Sequence, residues 1–175
     1  MDLQPLAARS SLHPFWGLWR VLDELESVLL EASADVYCAR FASDLSGSIG
    51  EHVRHGLDHV SALLTADSSA TLSYDRRHRG TAVETDPAEA LRQIERLKAA
   101  LEAWSTRSLD EPIRVTSELS PSGDAVTGWS TLARELAFVV SHTIHHQAII
   151  GLLLAIHGRA VPERFGHSPS TPRRH

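Results

Sequence analysis

Apolar residues recur every three or four positions in four separate stretches of the 175-residue chain. This period is typical of helices that bury one face and expose the other. In the first stretch, for example, Leu18, Leu22 and Leu25 fall on one side of a helix. We therefore predict helices over about residues 13–31, 49–65, 87–105 and 130–157.

Local signals at helix ends support these bounds. Ser48 and Glu51 have the spacing of a capping box, in which an N-cap hydroxyl and a carboxylate three residues later satisfy backbone N–H groups. Asp86 followed by Pro87 is typical of an N-cap and a first helical position. Gly158 is a suitable residue to end the last helix.

The connecting segments carry weaker patterns. Residues 32–47 are predicted to be a polar connector anchored by Tyr37 and Phe41. Residues 65–86 form a long irregular segment, and a loop of that length usually has a function. Alternation of apolar and polar residues, followed by the turn signal Pro-Ser-Gly-Asp, predicts a small β-hairpin over about residues 112–128.

Four helices of this length around one core predict an all-α fold, a four-helix bundle with the small hairpin between its third and fourth helices. A chain of 175 residues has the size of one domain, so we assign residues 1–175 to a single domain. The bundle core is expected over about 13–158. The tail, 159–175, is rich in Pro and Ser and is predicted to be irregular; Phe165 and Gly166 could fold back over the bundle, but the pattern does not favour it.

Composition narrows the function. The net charge of −5 argues against a nucleic-acid partner, because such proteins normally present a basic surface. The single cysteine, Cys38, excludes an internal disulfide and a zinc site built from several thiolates. Prolines interrupt the stretch from Leu3 to Trp19, unlike a secretory signal, and the longest apolar run, 148–156, is too short to span a bilayer. We therefore predict a cytoplasmic protein with no membrane partner.

Histidines supply the candidate chemistry. His142 and His146 are four residues apart, so they lie one turn apart on the same face of the fourth helix. A lone histidine on an apolar face is usually a hydrogen-bonded core or surface residue. Burying two adjacent imidazoles without partners would cost about 1–3 kcal/mol each, and a shared cation would remove that cost. With His55 from the second helix they predict a three-histidine metal site, for which His59, one turn later, is the alternative ligand.

Three neutral imidazoles without a thiolate suit a divalent metal such as zinc, iron(II), nickel(II) or manganese(II), and zinc is our first choice. Three protein ligands leave a position for water or substrate, which is the arrangement of catalytic rather than structural sites. Water bound there would ionise near neutral pH and act as a nucleophile.

Neighbouring residues are candidates for supporting roles. Glu135 lies two turns before His142 on the same face, so it could act as a base or hold a ligand histidine. His59 and His145 could be acid–base groups beside the ligands. Tyr74 and Arg77, on the long loop, could cover the site and bind an anionic substrate, because guanidinium groups match carboxylates. The competing interpretation of that loop is a solvated charge cluster.

Two segments together resemble a known family. Residues 48–59, SIGEHVRHGLDH, and residues 142–147, HTIHHQ, are similar to the helix-2 and last-helix motifs of the DinB/YfiT-like superfamily. The resemblance covers most of the chain, from the first helix to the fourth. It implies an up-down-down-up four-helix bundle and a divalent metal held by His55, His142 and His146, with His59 as the rival for His55.

The resemblance also implies an activity. Family members with known activity are mostly metal-dependent transferases that couple a low-molecular-weight thiol to an electrophile, and others are hydrolases or isomerases. We therefore expect a transferase or hydrolase that acts on a small-molecule substrate, with a homodimer as the assembly. The alternative is a non-catalytic metal-binding or dimerising bundle whose metal site is structural or vestigial.

Overall fold

The computed structural model of the protein describes residues 15–40, 47–66, 71–75 and 79–172. Within these ranges the chain is mostly helical, with five α-helices and one small three-stranded sheet. The helices are α1 Trp16–Glu31, α2 Ala34–Cys38, α3 Ile49–Thr65, α4 Pro87–Ala103 and α5 Leu132–Ile156. The strands are β1 Leu72–Ser73, β2 Pro112–Glu118 and β3 Ala125–Thr131.

The predicted end signals act as expected at two helices. At α3, the Glu51 backbone N–H donates to Ser48 Oγ at 3.2 Å, and the Ser48 N–H donates to the Glu51 carboxylate at 2.8 Å. At α4, Asp86 accepts a hydrogen bond from the backbone N–H of Ala88 at 2.8 Å. The capping box and the Asp-Pro start are therefore confirmed. The predicted start of the first helix, at His13 and Pro14, lies outside the described residues.

The four long helices share one core. α1 packs against α4 and α5, and α3 packs against the same two helices. The side chains between them are apolar and fully buried, as Leu22 of α1, Val53 of α3, Ile94 of α4 and Val139 of α5 illustrate. Burial of these apolar faces is the main force that holds the helices together.

The sheet goes beyond the prediction. β2 and β3 form the expected antiparallel hairpin, in which Ile113 pairs with Ser130 and Val115 with Gly128. β1 adds a parallel strand, with Leu72 opposite Val115. An all-α class with a lone hairpin is thus too narrow, because the segment predicted to be irregular contributes a strand. Two residues are too few to show a period in the sequence.

The sequence analysis missed one further helix and the docking of the tail. Within the connector predicted at 32–47, residues 34–38 form α2; its Tyr37 is the expected anchor, buried and donating its hydroxyl to the Val83 carbonyl at 2.6 Å. The other expected anchor, Phe41, lies outside the described residues. In the tail, Phe165 is 5% exposed and belongs to the core. The tail therefore does fold back over the bundle, against our expectation.

α5 is long and apolar enough, by length and composition, to cross a membrane, with a mean hydropathy of 1.5 over its most apolar window. Half of that window is buried inside the protein. The core helix of a globular protein passes the same test, and α5 occupies that position here, between α1 and α3.

Candidate metal centre

Three histidine side chains from α3 and α5 converge. Nε2 of His142 lies 3.3 Å from Nε2 of His55 and 3.2 Å from Nε2 of His146. One ring nitrogen from each of the three residues lies within 4.8 Å of the other two. The two helices that carry the histidines therefore come together at these three residues, as the sequence predicts.

The spacing of these nitrogens fits a metal ion. Four ligands placed tetrahedrally at the usual zinc–nitrogen bond length are separated by about 3.4 Å, and octahedral neighbours at slightly longer bonds by about 3 Å. The two closest Nε2 pairs, at 3.2 and 3.3 Å, fall in this range. His142 Nε2 takes part in both contacts, and a single proton on it could serve only one of them. A shared cation satisfies all three nitrogens at once.

Burial keeps the deepest of these imidazoles neutral. His146 is 8% exposed, and desolvation, followed by the nearby His142, His55 and His52, lowers its pKa to about 2. A histidine must be neutral to bind a metal through its lone pair. His146 is therefore in the binding-competent form across the physiological pH range.

His59, the rival ligand, lies against the cluster in a different way. It is 5% exposed, and its ring stacks on His142 with centroids 3.9 Å apart and an interplanar angle of 22°. Its Nδ1 lies 3.0 Å from the backbone carbonyl of His55. Because a carbonyl only accepts, Nδ1 carries the proton, and Nε2 keeps the lone pair of the neutral ring. The structure thus brings His59 to the site as a stacked neighbour, with His55 supplying the converging nitrogen.

Two other histidines flank His146. His145 is exposed, and its ring centroid lies 5.3 Å from that of His146. His52, on α3, places Nδ1 only 3.0 Å from Nδ1 of His146. The sequence analysis assigned His52 no role. Its position three residues before His55, on the same side of α3, was the available signal.

Glu135 reaches the cluster through Tyr74. The Glu135 carboxylate, 3% exposed, accepts hydrogen bonds from the Tyr74 hydroxyl at 3.0 Å and the Ser130 hydroxyl at 2.6 Å. Burial, reinforced by the Glu135 charge, raises the pKa of Tyr74 well above its ordinary value, so the phenol stays protonated. The Tyr74 ring in turn stacks on His59, with centroids 5.1 Å apart and the planes 4° from parallel.

A cavity of about 290 Å³ is bordered by Tyr74 and Phe138, the aromatic residues that stack on His59 and His142. It is lined by the inner face of the hairpin and the first turns of α5, through Tyr74, Val115, Ser117, Val126, Gly128, Trp129, Ser130, Arg134, Glu135 and Phe138. Its polar side chains carry the Tyr74 phenol, two serine hydroxyls, a guanidinium and a carboxylate. Of the predicted substrate-binding pair, Tyr74 lines this cavity, whereas Arg77 lies outside the described residues.

Comparison with known families and proteins gives two matches. The DinB superfamily matches residues 18–150. FK506-binding protein 5 of Rhizopus delemar is 32% identical over 115 residues, which are 65% of this chain and 30% of that protein. The chain thus spans less than a third of the length of this curated relative. No solved structure matches.

Proposed function

The chain belongs to the DinB superfamily, and on that premise we propose that it is a divalent-metal-dependent enzyme. The proposed reaction is attack of a water or a small thiol on a small electrophilic substrate, so the enzyme is a transferase or a hydrolase. The observation that carries the proposal is the convergence of His55, His142 and His146, two of whose Nε2 pairs are 3.2 and 3.3 Å apart. In this proposal the four long helices form the up-down-down-up bundle that the family resemblance implies.

His55, His142 and His146 would hold the metal, for which zinc is our first choice and iron(II), nickel(II) or manganese(II) the alternatives. When bound, the cation supplies Lewis-acid chemistry that lowers the pKa of a water or thiol and orients it. Three protein ligands favour a catalytic site over a structural one, because a position stays open for the nucleophile.

The residues around the three histidines are proposed to accept and donate protons and to exclude water. His59 carries its proton on Nδ1, bonded to the His55 carbonyl, so Nε2 is its proton acceptor next to His142. His145, exposed beside His146, is the proposed acid–base group at the rim. Glu135 fixes Tyr74, and Tyr74 and Phe138 shield the stacked faces of His59 and His142 from water.

A non-catalytic alternative is a bundle that acts by dimerisation. It is favoured by the apolar side chains that remain exposed near the C-terminal ends of α1 and α5, Leu30 at 70%, Leu152 at 65% and Ile156 at 56%. Leu152 and Ile156 are one turn apart on the same face of α5, and neighbouring exposed apolar groups commonly mark contact surfaces. In that case the metal would stabilise the fold without taking part in a reaction.

Metal content tests the proposal directly. Wild-type protein, His146→Ala and the exposed-tail control His167→Ala are purified, stripped with a chelator, reloaded with zinc, iron(II), nickel(II) or manganese(II) and analysed by mass spectrometry of the metals. We expect one metal per chain in the wild type and in the control, and a clear loss in His146→Ala. A wild-type protein that retains no metal would refute the site.

Activity and melting then separate the two functions. The loaded and stripped proteins are assayed for conjugation of cysteine and glutathione with chlorodinitrobenzene, and for hydrolysis of p-nitrophenyl acetate. A catalytic site predicts metal-dependent turnover and a small change in melting temperature on stripping. Metal that raises the melting temperature strongly, with no turnover in either assay, supports the non-catalytic alternative.

A further inference from the structure

His52 contacts the histidine cluster through His146. It lies on α3, partly buried, and its Nδ1 is 3.0 Å from Nδ1 of His146. The two rings are tilted by 37°, with centroids 5.2 Å apart. The same His146 ring turns its other nitrogen, Nε2, toward Nε2 of His142 at 3.2 Å. One imidazole thus links His52 to the converging nitrogens.

The proton on His146 can be placed from this geometry. A neutral imidazole that binds a metal through Nε2 carries its hydrogen on Nδ1. That N–H requires an acceptor in a residue that is 8% exposed, and His52 Nδ1 stands at hydrogen-bonding distance. The neutral His52 ring must then carry its own proton on Nε2. This nitrogen faces Gly47, since a Cβ built on that glycine would lie 3.6 Å from it.

We propose that His52 is a positioning residue that accepts the Nδ1 hydrogen of His146 and thereby fixes the tautomer and ring orientation in which His146 binds the metal. The inference rests on the proposed function, since it assigns a role around the same site. Metal-binding histidines usually donate their second N–H to a carboxylate or a backbone carbonyl, and such partners tune the affinity of the site. Here a second imidazole takes that place.

His52 is not a fourth ligand in this geometry. The His146 ring lies between His52 and His142, because it contacts His52 through Nδ1 and His142 through Nε2. Loss of His52 should therefore weaken metal binding without changing the number of protein ligands.

Two substitutions separate the acceptor from the shape of the ring. In His52→Asn the amide oxygen takes nearly the position of Nδ1 and can still accept, whereas His52→Leu has similar bulk and no acceptor. His167→Leu removes an exposed imidazole in the tail, outside the histidine cluster, and is the control. Zinc affinity is measured by competition with a chromophoric chelator, and the ligand set by the visible absorption of the cobalt(II)-loaded protein.

We expect His52→Leu to bind zinc about 10–100-fold more weakly than the wild type, the usual effect of removing such a partner. The zinc affinity of His52→Asn should lie within a few-fold of that of the wild type, and the affinity of His167→Leu should match it. The cobalt(II) absorption spectrum should keep the position and intensity of the wild-type spectrum in all three variants, since the ligands would remain.

Each result bears on one idea. Wild-type affinity in His52→Leu refutes the positioning role and leaves the proposed function standing. Equal losses in His52→Leu and His52→Asn also refute it, because shape rather than hydrogen bonding would then matter. A cobalt spectrum altered by His52→Leu would instead identify His52 as a ligand. A wild type that binds neither metal overturns the proposed function itself.

Discussion

Replacing Gly50 with alanine should destabilise the protein, whereas the same change at Gly56, in the same helix, should stabilise it. A Cβ on Gly50 would lie 2.0 Å from the backbone carbonyl oxygen of Glu84 and 2.7 Å from a ring carbon of Tyr37. A Cβ on Gly56 meets no atom within 4 Å. Both glycines therefore lie in α3, but only Gly50 lacks room for a methyl group.

The expected changes in the free energy of unfolding follow from two opposing effects. Alanine is favoured over glycine inside a helix by about 1 kcal/mol, and Gly56→Ala should gain about 0.5–1 kcal/mol of that. At Gly50 the turn at Ala82–Glu84 must move by roughly 1 Å or more to restore van der Waals contact. Tyr37 and Arg54 hold this turn through hydrogen bonds of 2.6 and 2.9 Å, so overpacking and weakened bonds should leave Gly50→Ala about 2–4 kcal/mol less stable.

Urea denaturation followed by far-ultraviolet circular dichroism measures both variants against the wild type. The midpoint should shift down for Gly50→Ala and up for Gly56→Ala, with the slope of the transition unchanged. The reasoning fails if Gly50→Ala is as stable as Gly56→Ala, because the contact between α3 and the Glu84 turn would then not restrict that position.

Three further changes have defined outcomes. Ser48→Ala removes the N-cap oxygen of α3 and should cost about 1 kcal/mol in urea denaturation; no change would mean that the capping box does not stabilise the helix. Gly166→Ala should destabilise the protein more than Gly158→Ala. Both glycines have φ near +70°, but only at Gly166 would a Cβ clash with backbone, 2.4 Å from the Ala148 nitrogen. Equal losses of stability would show that the tail is not docked on α5. Metal-free protein should lose stability as the pH falls below about 6.5, by up to about 1.4 kcal/mol per pH unit. His146 binds a proton in this range in the unfolded chain, whereas in the folded protein its pKa is lowered to about 2 and it stays neutral. Urea midpoints between pH 7.5 and 5 should fall less steeply in His146→Leu, and identical slopes would contradict the pKa shift.

Local signals predicted those parts of the fold that local chemistry determines. The start of α3 follows from Ser48 and Glu51, and the start of α4 follows from Asp86 and Pro87. α2 was missed because five residues cannot display a helical period. β1 was missed because its stability comes from pairing with a strand far along the chain, and the same holds for burial of Phe165 against α5.

The choice between His55 and His59 shows where sequence reasoning stops in the site itself. Residues four apart on a helix differ by only about 40° around its axis, so the period of α3 favours neither. The difference arises outside α3: β1 pairs with β2, Glu135 binds the Tyr74 hydroxyl, and the Tyr74 ring then lies flat against His59. His59 is thereby sandwiched between Tyr74 and His142, whereas His55 stands nearly perpendicular to His142 and His146, at 78° and 89°, with its Nε2 3.3 Å from that of His142. Contacts from outside α3 therefore distinguish the stacked imidazole of His59 from the converging imidazole of His55, and the Glu135 carboxylate takes part by accepting a hydrogen bond from Tyr74.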